Sequence, residues 1–214
     1  NSPMPQYYLL PGPPKPDAND YLCPVDSPLR YTAEDFTAAL AADDYIARFR
    51  DAERIGAYCR SCPNYGRSWG CPPFGFSVEE YLAGYDSVLL VATKITPRIR
   101  NLPIAEAAAM IRPERIRLES RLLGMERLYG GRSFAYVGSC LYCPEGACTR
   151  PDGKPCRHPE WVRPSLEACG FDIGRTTSEL FGLELKWGVG GRMPEYLILV
   201  CGFFHHAGNV IWNG

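Results

Sequence analysis

Residues 138–165 read GSCLYCPEGACTRPDGKPCRHPEWVRPS, and this stretch restricts what the chain can fold into more than any other. Four cysteines, Cys140, Cys143, Cys148 and Cys156, fall in it at the spacing C-x2-C-x4-C-x7-C. The residues between them are mostly Gly, Pro, Asp, Lys and Arg, which favour turns over regular elements. Such a segment has little apolar surface with which to hold a shape. Four thiolates gathered on a metal centre would hold it, so the stretch reads as a metal-binding loop.

A second stretch of the same kind lies upstream, residues 59–76, CRSCPNYGRSWGCPPFGF. It carries Cys59, Cys62 and Cys71 as C-x2-C-x8-C, followed by Pro72 and Pro73. The chain has ten cysteines, for which a secreted disulfide scaffold is the ordinary alternative. Such scaffolds are short and poor in core. A chain of 214 residues can bury a substantial core without them. Seven of the ten cluster in two loops that each open with C-x2-C, which favours metal.

Soft thiolates select zinc, Cu(I) or iron–sulfur clusters. A four-cysteine zinc site shows two C-x2–4-C pairs held apart by a longer stretch. Here the third and fourth cysteines of the 138–165 loop are single, a staggered pattern closer to a loop wrapped around a cubane. Pro63, Pro72, Pro73, Pro144 and Pro155 flank the cysteines and stiffen the loops, as proline does after a ferredoxin cysteine. Gly70, Gly146 and Gly153 permit turns that aim N–H groups at sulfur. An iron–sulfur cluster of the [4Fe–4S] type, in one copy or two, is therefore the preferred cofactor, with zinc as the alternative. Neither ferredoxin spacing is matched, so the chain is not a standard ferredoxin.

The other candidates weigh less. Cys169 and Cys201 fall in a helical and an apolar stretch and read as buried small hydrophobes. Cys23 reads as a free thiol, with an eighth ligand folded back from the N-terminus as the other possibility. His158, two residues past Cys156, is a candidate ligand or donor to the cluster. His205 and His206 are expected at the surface. Residues 98–132 hold eight Arg against four acids, either a solvated helix face or a docking patch for an acidic partner.

Hydrophobic patterning around the two loops predicts an α+β fold: a mixed sheet with flanking helices and two cysteine-rich metal-binding loops. Residues 1–30 are proline-rich and read as an extended arm; residues 31–214 read as one domain. Thr32-Ala-Glu-Asp35 resembles a capped helix start, with helix running to Gly56. Ser77-Val-Glu-Glu80 reads as a capping box. Residues 87–95, SVLLVATKI, read as a central strand. Residues 103–128 read as helix broken in two by Pro113, with Leu118, Leu122 and Met125 on a core-facing stripe and Gly130-Gly131 as its end. Residues 133–137 form a short strand, 164–170 a helix, 177–181 a helical turn, and 183–187 with 196–204 a terminal hairpin around a Gly188–Gly191 turn.

A net charge of −1 points to neither nucleic acid nor an anionic membrane. No apolar run approaches the ~20 residues of a membrane span. The N-terminus lacks the basic and apolar regions of a signal peptide, so a cytoplasmic protein is expected.

The pair CxxCPNYGRSWGCPP and CxxCxxxxC…PCRHPEWVRPSLEACGFDI resembles a prokaryotic family of predicted metal-binding proteins common in anaerobes. The resemblance spans about residues 55–204. It implies a cysteine-bound metal, iron–sulfur in type, with Cys59, Cys62, Cys71, Cys140, Cys143, Cys148 and Cys156 as ligands, and it implies no particular reaction. Three function classes follow: an electron-transfer or redox accessory protein with a redox partner, an enzyme using an open-site cluster, and a zinc-stabilised binding module. Four cysteines complete one site and three remain, which places any chemistry at the Cys59–Cys71 loop and electron supply at the other.

Overall fold

The structure, a computed structural model, describes residues 31–135, 138, 140–144, 146–206, 208 and 210–212. The N-terminal arm and Cys23 lie outside the described residues, as do the last two positions, 136 and 137, of the strand expected at 133–137.

Strand β2 (Ser87–Pro97) carries the organisation of the sheet. Val88, Leu90, Val91, Ala92 and Ile95 are wholly buried, so their backbone groups need partners on both sides. Strand β1 (Tyr31–Ala41) supplies one side and β4 (Leu197–His205) the other, with β3 (Arg132–Phe134) beyond β4. The α+β class holds, and the sheet expected as mixed is antiparallel in each of its three pairings.

The helix expected from Thr32 is strand β1. Its partners run without a break from Tyr31↔Pro97 to Ala41↔Ser87. Ala, Glu and Asp favour helix here, but pairing with the apolar edge of β2 overrides that weak preference. Phe36 and Leu40 pack into the core, an alternation that fits a strand.

Helices then follow as α1 (Ala42–Phe49), α2 (Ala52–Ser61), α3 (Val78–Leu82), α4 (Ala107–Tyr129) and α5 (Ile173–Phe181). Helix α2 does not stop at Gly56 but carries Cys59 in its last turn. Ser77 caps α3, accepting from the Glu80 N–H as expected. Helix α4 runs unbroken through Pro113. The hydrogen bond lost there is offset by Met110, Leu118, Leu122 and Met125, all buried on the sheet.

The sheet separates two cores. Leu89, Val91, Leu199, Cys201 and Phe203 face α4. Val88, Leu90, Val200 and Phe204 face Tyr45 and Phe49 of α1, together with Leu166 and Phe171. Cys169 and Cys201 are buried among these apolar side chains, as their surroundings in sequence implied. His205 is buried rather than exposed, because β4 pairs through it to Ser87 and its ring stacks on Phe203. His206 is exposed.

The segment 183–187 is not a strand. On the side of β4 away from β2, β3 pairs with residues 202–204 alone, and 183–187 does not pair along the rest. The turn after it forms as expected, with Val189 bridging Arg192. No helix among the described residues is long and apolar enough to cross a membrane.

Candidate metal centre

Two close approaches bring the turn at 165–170 to the first cysteine loop. Gly202 on β4 has no side chain, and Leu166 sits over it: a Cβ there would lie 3.3 Å from Leu166 Cδ2. Gly170 ends the Glu167–Cys169 3-10 turn at φ 92°, and a Cβ on it would meet Ala52 Cα at 2.8 Å. The turn is thus pressed between the sheet and the first residue of α2. The Asp51 N–H donating to Gly170 O and the Asp172 N–H donating to Phe49 O, both at 2.8 Å, fasten it there. The helix expected over 164–170 is reduced to this turn.

Cys59 and Cys62 stand at the end of α2, Cys62 as its C-cap, with its N–H donating to Cys59 O at 3.1 Å. The chain then folds back through tight turns, Tyr65 N–H to Cys62 O and Cys71 N–H to Ser68 O, which return Cys71 beside the other two. The three thiols line one cavity of about 150 Å³, walled also by Tyr65, Ser165 and Glu167. Burial pushes the Cys59 and Cys71 thiols up, and each of them is raised further by neighbouring cysteine sulfur. The Cys59 thiol donates to Glu167 O at 3.8 Å.

Cys140, Cys143, Cys148 and Cys156 form the second set. Burial pushes Cys140 up to about 12, with Cys143 and Cys156 adding to the rise and the Tyr142 N–H opposing it. Burial likewise raises Cys156, with Cys143 and Cys148 contributing. The backbone supplies N–H donors to sulfur two residues on, from Tyr142 to Cys140 and from His158 to Cys156 at 3.4 Å. Such donors stabilise thiolates and tune a metal they hold. His158 contributes its amide, while its ring stacks on Trp161 at 5.1 Å. Beneath lies a buried pair, Arg115 and Glu119 at 3.3 Å, and Glu119 also bonds Tyr142. Burial pushes the Glu119 carboxyl up, and Arg115 works against that rise.

Arg150 links the two sets. It leaves the second loop and donates to three carbonyls of the first, Ser68 O at 2.6 Å, Cys71 O and Pro73 O. Its guanidinium also lies over the Trp69 ring, whose Nε1 donates to Thr149 Oγ1 at 3.4 Å.

The geometry brings the seven predicted cysteines into two groups, three and four, divided as the loops divide them. None of the nine described cysteines is in a disulfide. Among the described residues, no group of three or more His, Cys, Asp or Glu side chains is arranged to hold a metal ion. The donor chemistry nonetheless fits a metal, since raised thiols crowded on one another are what a cation would relieve by taking them as thiolates. Sequence reasoning passed over Glu167 and Arg150. Glu167 looked like the ordinary first-turn acid of a Pro-Ser-Leu-Glu helix start, and Arg150 like one polar residue of a turn.

An antiparallel α+β sheet with one layer of helices against each face, bearing two cysteine clusters on its loops, defines a thiol-rich metal-protein scaffold. The chain belongs to the family described as predicted metal-binding protein (DUF2284), which it matches over residues 46–200. That span contains both cysteine sets and the turn bearing Glu167. No curated protein and no solved structure matches the chain.

Proposed function

We propose that the protein holds two metal centres of the iron–sulfur type, one in each cysteine set, and passes electrons between them and a redox partner protein. The carrying observation is the division of seven thiols into two groups fastened to one another by Arg150. The staggered C-x2-C-x4-C-x7-C spacing of the second set, unlike the paired spacing of a four-cysteine zinc site, supports a cluster over zinc.

A bound cluster would supply one-electron storage at a potential set by its surroundings. The chain does the rest. Cys59, Cys62 and Cys71 would bind one centre, and Cys140, Cys143, Cys148 and Cys156 the other. The Tyr142 and His158 amides hold negative sulfur. Tyr142, His158 and Trp161 pack together beside the second set. Free thiols persist in a reducing compartment, so the reading places the protein in the cytoplasm.

A second reading, an enzyme acting at the first centre, is favoured by the cavity there, because an incompletely ligated metal beside a cavity is what separates catalytic from closed sites. Cys62→Ser and Cys143→Ser, made in anaerobically produced protein, test the two-centre reading. Each should keep about half the iron and acid-labile sulfide, together with the EPR signal of the other centre. Loss of all iron from either variant while it stays folded would overturn the division. Stoichiometric zinc without sulfide would overturn the cluster.

A further inference from the structure

Among the described residues, the buried and half-buried acids Glu114, Glu119 and Glu126 face arginine, and the half-buried Glu167 does not. Glu126 meets Arg163 at 2.7 Å, Glu119 meets Arg115 at 3.3 Å, and Glu114 meets Arg117 at 2.8 Å. Glu167 forms no ion pair with any described residue. Ser165 and its own backbone N–H hold its carboxyl. Its Oε2 lies out of solvent contact with no hydrogen-bond partner among the described residues. A buried carboxylate oxygen left in that state is costly unless the group takes up a proton or a cation meets it, and buried charges are either paired or coordinate metal.

The position of Glu167 says which cation. It lines the same cavity as Cys59, Cys62 and Cys71. Its backbone carbonyl takes the Cys59 thiol, so the residue is anchored at the rim of that thiol set. Leu166 on the sheet and Gly170 against α2 fix the turn on either side of it. Three cysteines and Glu167 therefore line one space, with an unpartnered oxygen on the Glu167 carboxyl.

We propose that the Glu167 carboxylate is the fourth ligand of the centre held by Cys59, Cys62 and Cys71, an oxygen donor on a metal otherwise bound by sulfur. The inference rests on the reading of that cysteine set as a metal centre. It distinguishes the two centres chemically. The second is closed by four thiolates; the first carries one hard donor that a soft metal exchanges more readily than thiolate. The Glu167 position is then where an incoming small ligand, a thiol or an oxyanion, displaces protein.

The test uses the full chain carrying Cys143→Ser and Cys156→Ser, so that the metal present belongs to the first centre. Into it go Glu167→Gln, which keeps shape and weakens the donor, and Glu167→Cys, which replaces oxygen by sulfur. Metal per chain, release to excess chelator and metal-edge X-ray absorption are measured on each. Glu167→Gln should lose the oxygen donor and release metal at least about tenfold faster, since even partners one shell further out are worth ten- to hundredfold. Glu167→Cys should show sulfur in place of oxygen and hold metal at least as long as the parent, which separates loss of a ligand from loss of fold. Equal release rates and unchanged donor sets in all three would overturn the assignment of Glu167 while leaving the three-cysteine centre standing. Folded parent protein that takes up no metal would overturn the centre itself, and Glu167 with it.

Discussion

The sheet and the cysteine loops are held by different forces. Around β2 and β4 the contacts are apolar and dry: Phe204 is fully buried, with the rings of Tyr45, Phe134 and Phe171 all centred within 6.3 Å. None of the seven predicted ligand cysteines is buried to that degree, and Cys62 is exposed. The loops rest on turn hydrogen bonds and on Arg150. On the proposed function, the scaffold carries its own stability, whereas the loops would draw theirs from metal.

The largest effect expected from breaking this contrast is in the scaffold. Phe204→Ala should lower unfolding stability by about 3–5 kcal/mol and shift the whole thermal transition. Metal removal should do the reverse, leaving most far-UV circular dichroism while residues 140–160 become sensitive to protease. Complete loss of secondary structure on chelation would show that the two regions are not independent.

A middle-sized effect is expected where β1 meets α4. Asp35 takes both Arg117 N–H groups at 2.8 Å, the Thr93 hydroxyl at 2.6 Å and Trp212 Nε1 at 2.9 Å. Burial alone would raise the Asp35 carboxyl, but these donors outweigh it and hold it below the usual value. Its folded pKa is therefore lower than its unfolded one. The stability it contributes is fully present above the unfolded carboxylate range and is lost as pH falls through the folded pKa. Asp35→Asn should lower stability at neutral pH by about 1.5–3 kcal/mol and flatten the acid limb of the stability curve. Urea titrations across that range measure both. Metal content at neutral pH should not change, since Asp35 serves the scaffold and touches neither loop.

The same contrast explains what was legible in the sequence. Burial on both faces leaves an unbroken apolar run and burial on one face a period, so β2 and the Leu118, Leu122, Met125 stripe could be read directly. Cysteine spacing leaves a motif, so both loops were visible too. What escaped depends on partners far along the chain. Strand β1 hides behind residues that favour helix, and only the open edge of β2 makes it a strand. Pro113 usually breaks a helix, but packing on the sheet carries α4 across it. Residues 183–187 have strand-like composition yet pair with no strand. Glu167 lies 96 positions beyond Cys71 in sequence, and nothing local to Ser165–Cys169 shows that Gly170 must press against Ala52. A cysteine announces its chemistry by type, whereas a carboxylate does so only when its partners are known.

The smallest effect on global stability is expected at Arg150, and it sharpens the comparison most because Arg150 belongs to both loops and hardly to the scaffold. Its three carbonyl contacts are charge-assisted and converge on the segment from Ser68 to Pro73 that carries Cys71. Hydrogen bonds to a charged group contribute about 1.5–3 kcal/mol each when removal strands a partner, but here the partners are loop carbonyls that water can reach once the loop opens. Because regions of low stability open without the core, Arg150→Ala should move the global unfolding midpoint by about 1 kcal/mol or less. Amide exchange across residues 62–73 should rise, and metal should leave the first centre faster in the variant. The second centre, whose four thiols lie in one loop, should be affected less. Arg150→Lys keeps the charge but cannot span three carbonyls with a planar fork, so it should resemble alanine in exchange rather than wild type. If global stability instead fell as far as it does with Phe204→Ala, the loops would be part of the scaffold's cooperative unit, and the division between a self-sufficient sheet and metal-dependent loops would have to be given up.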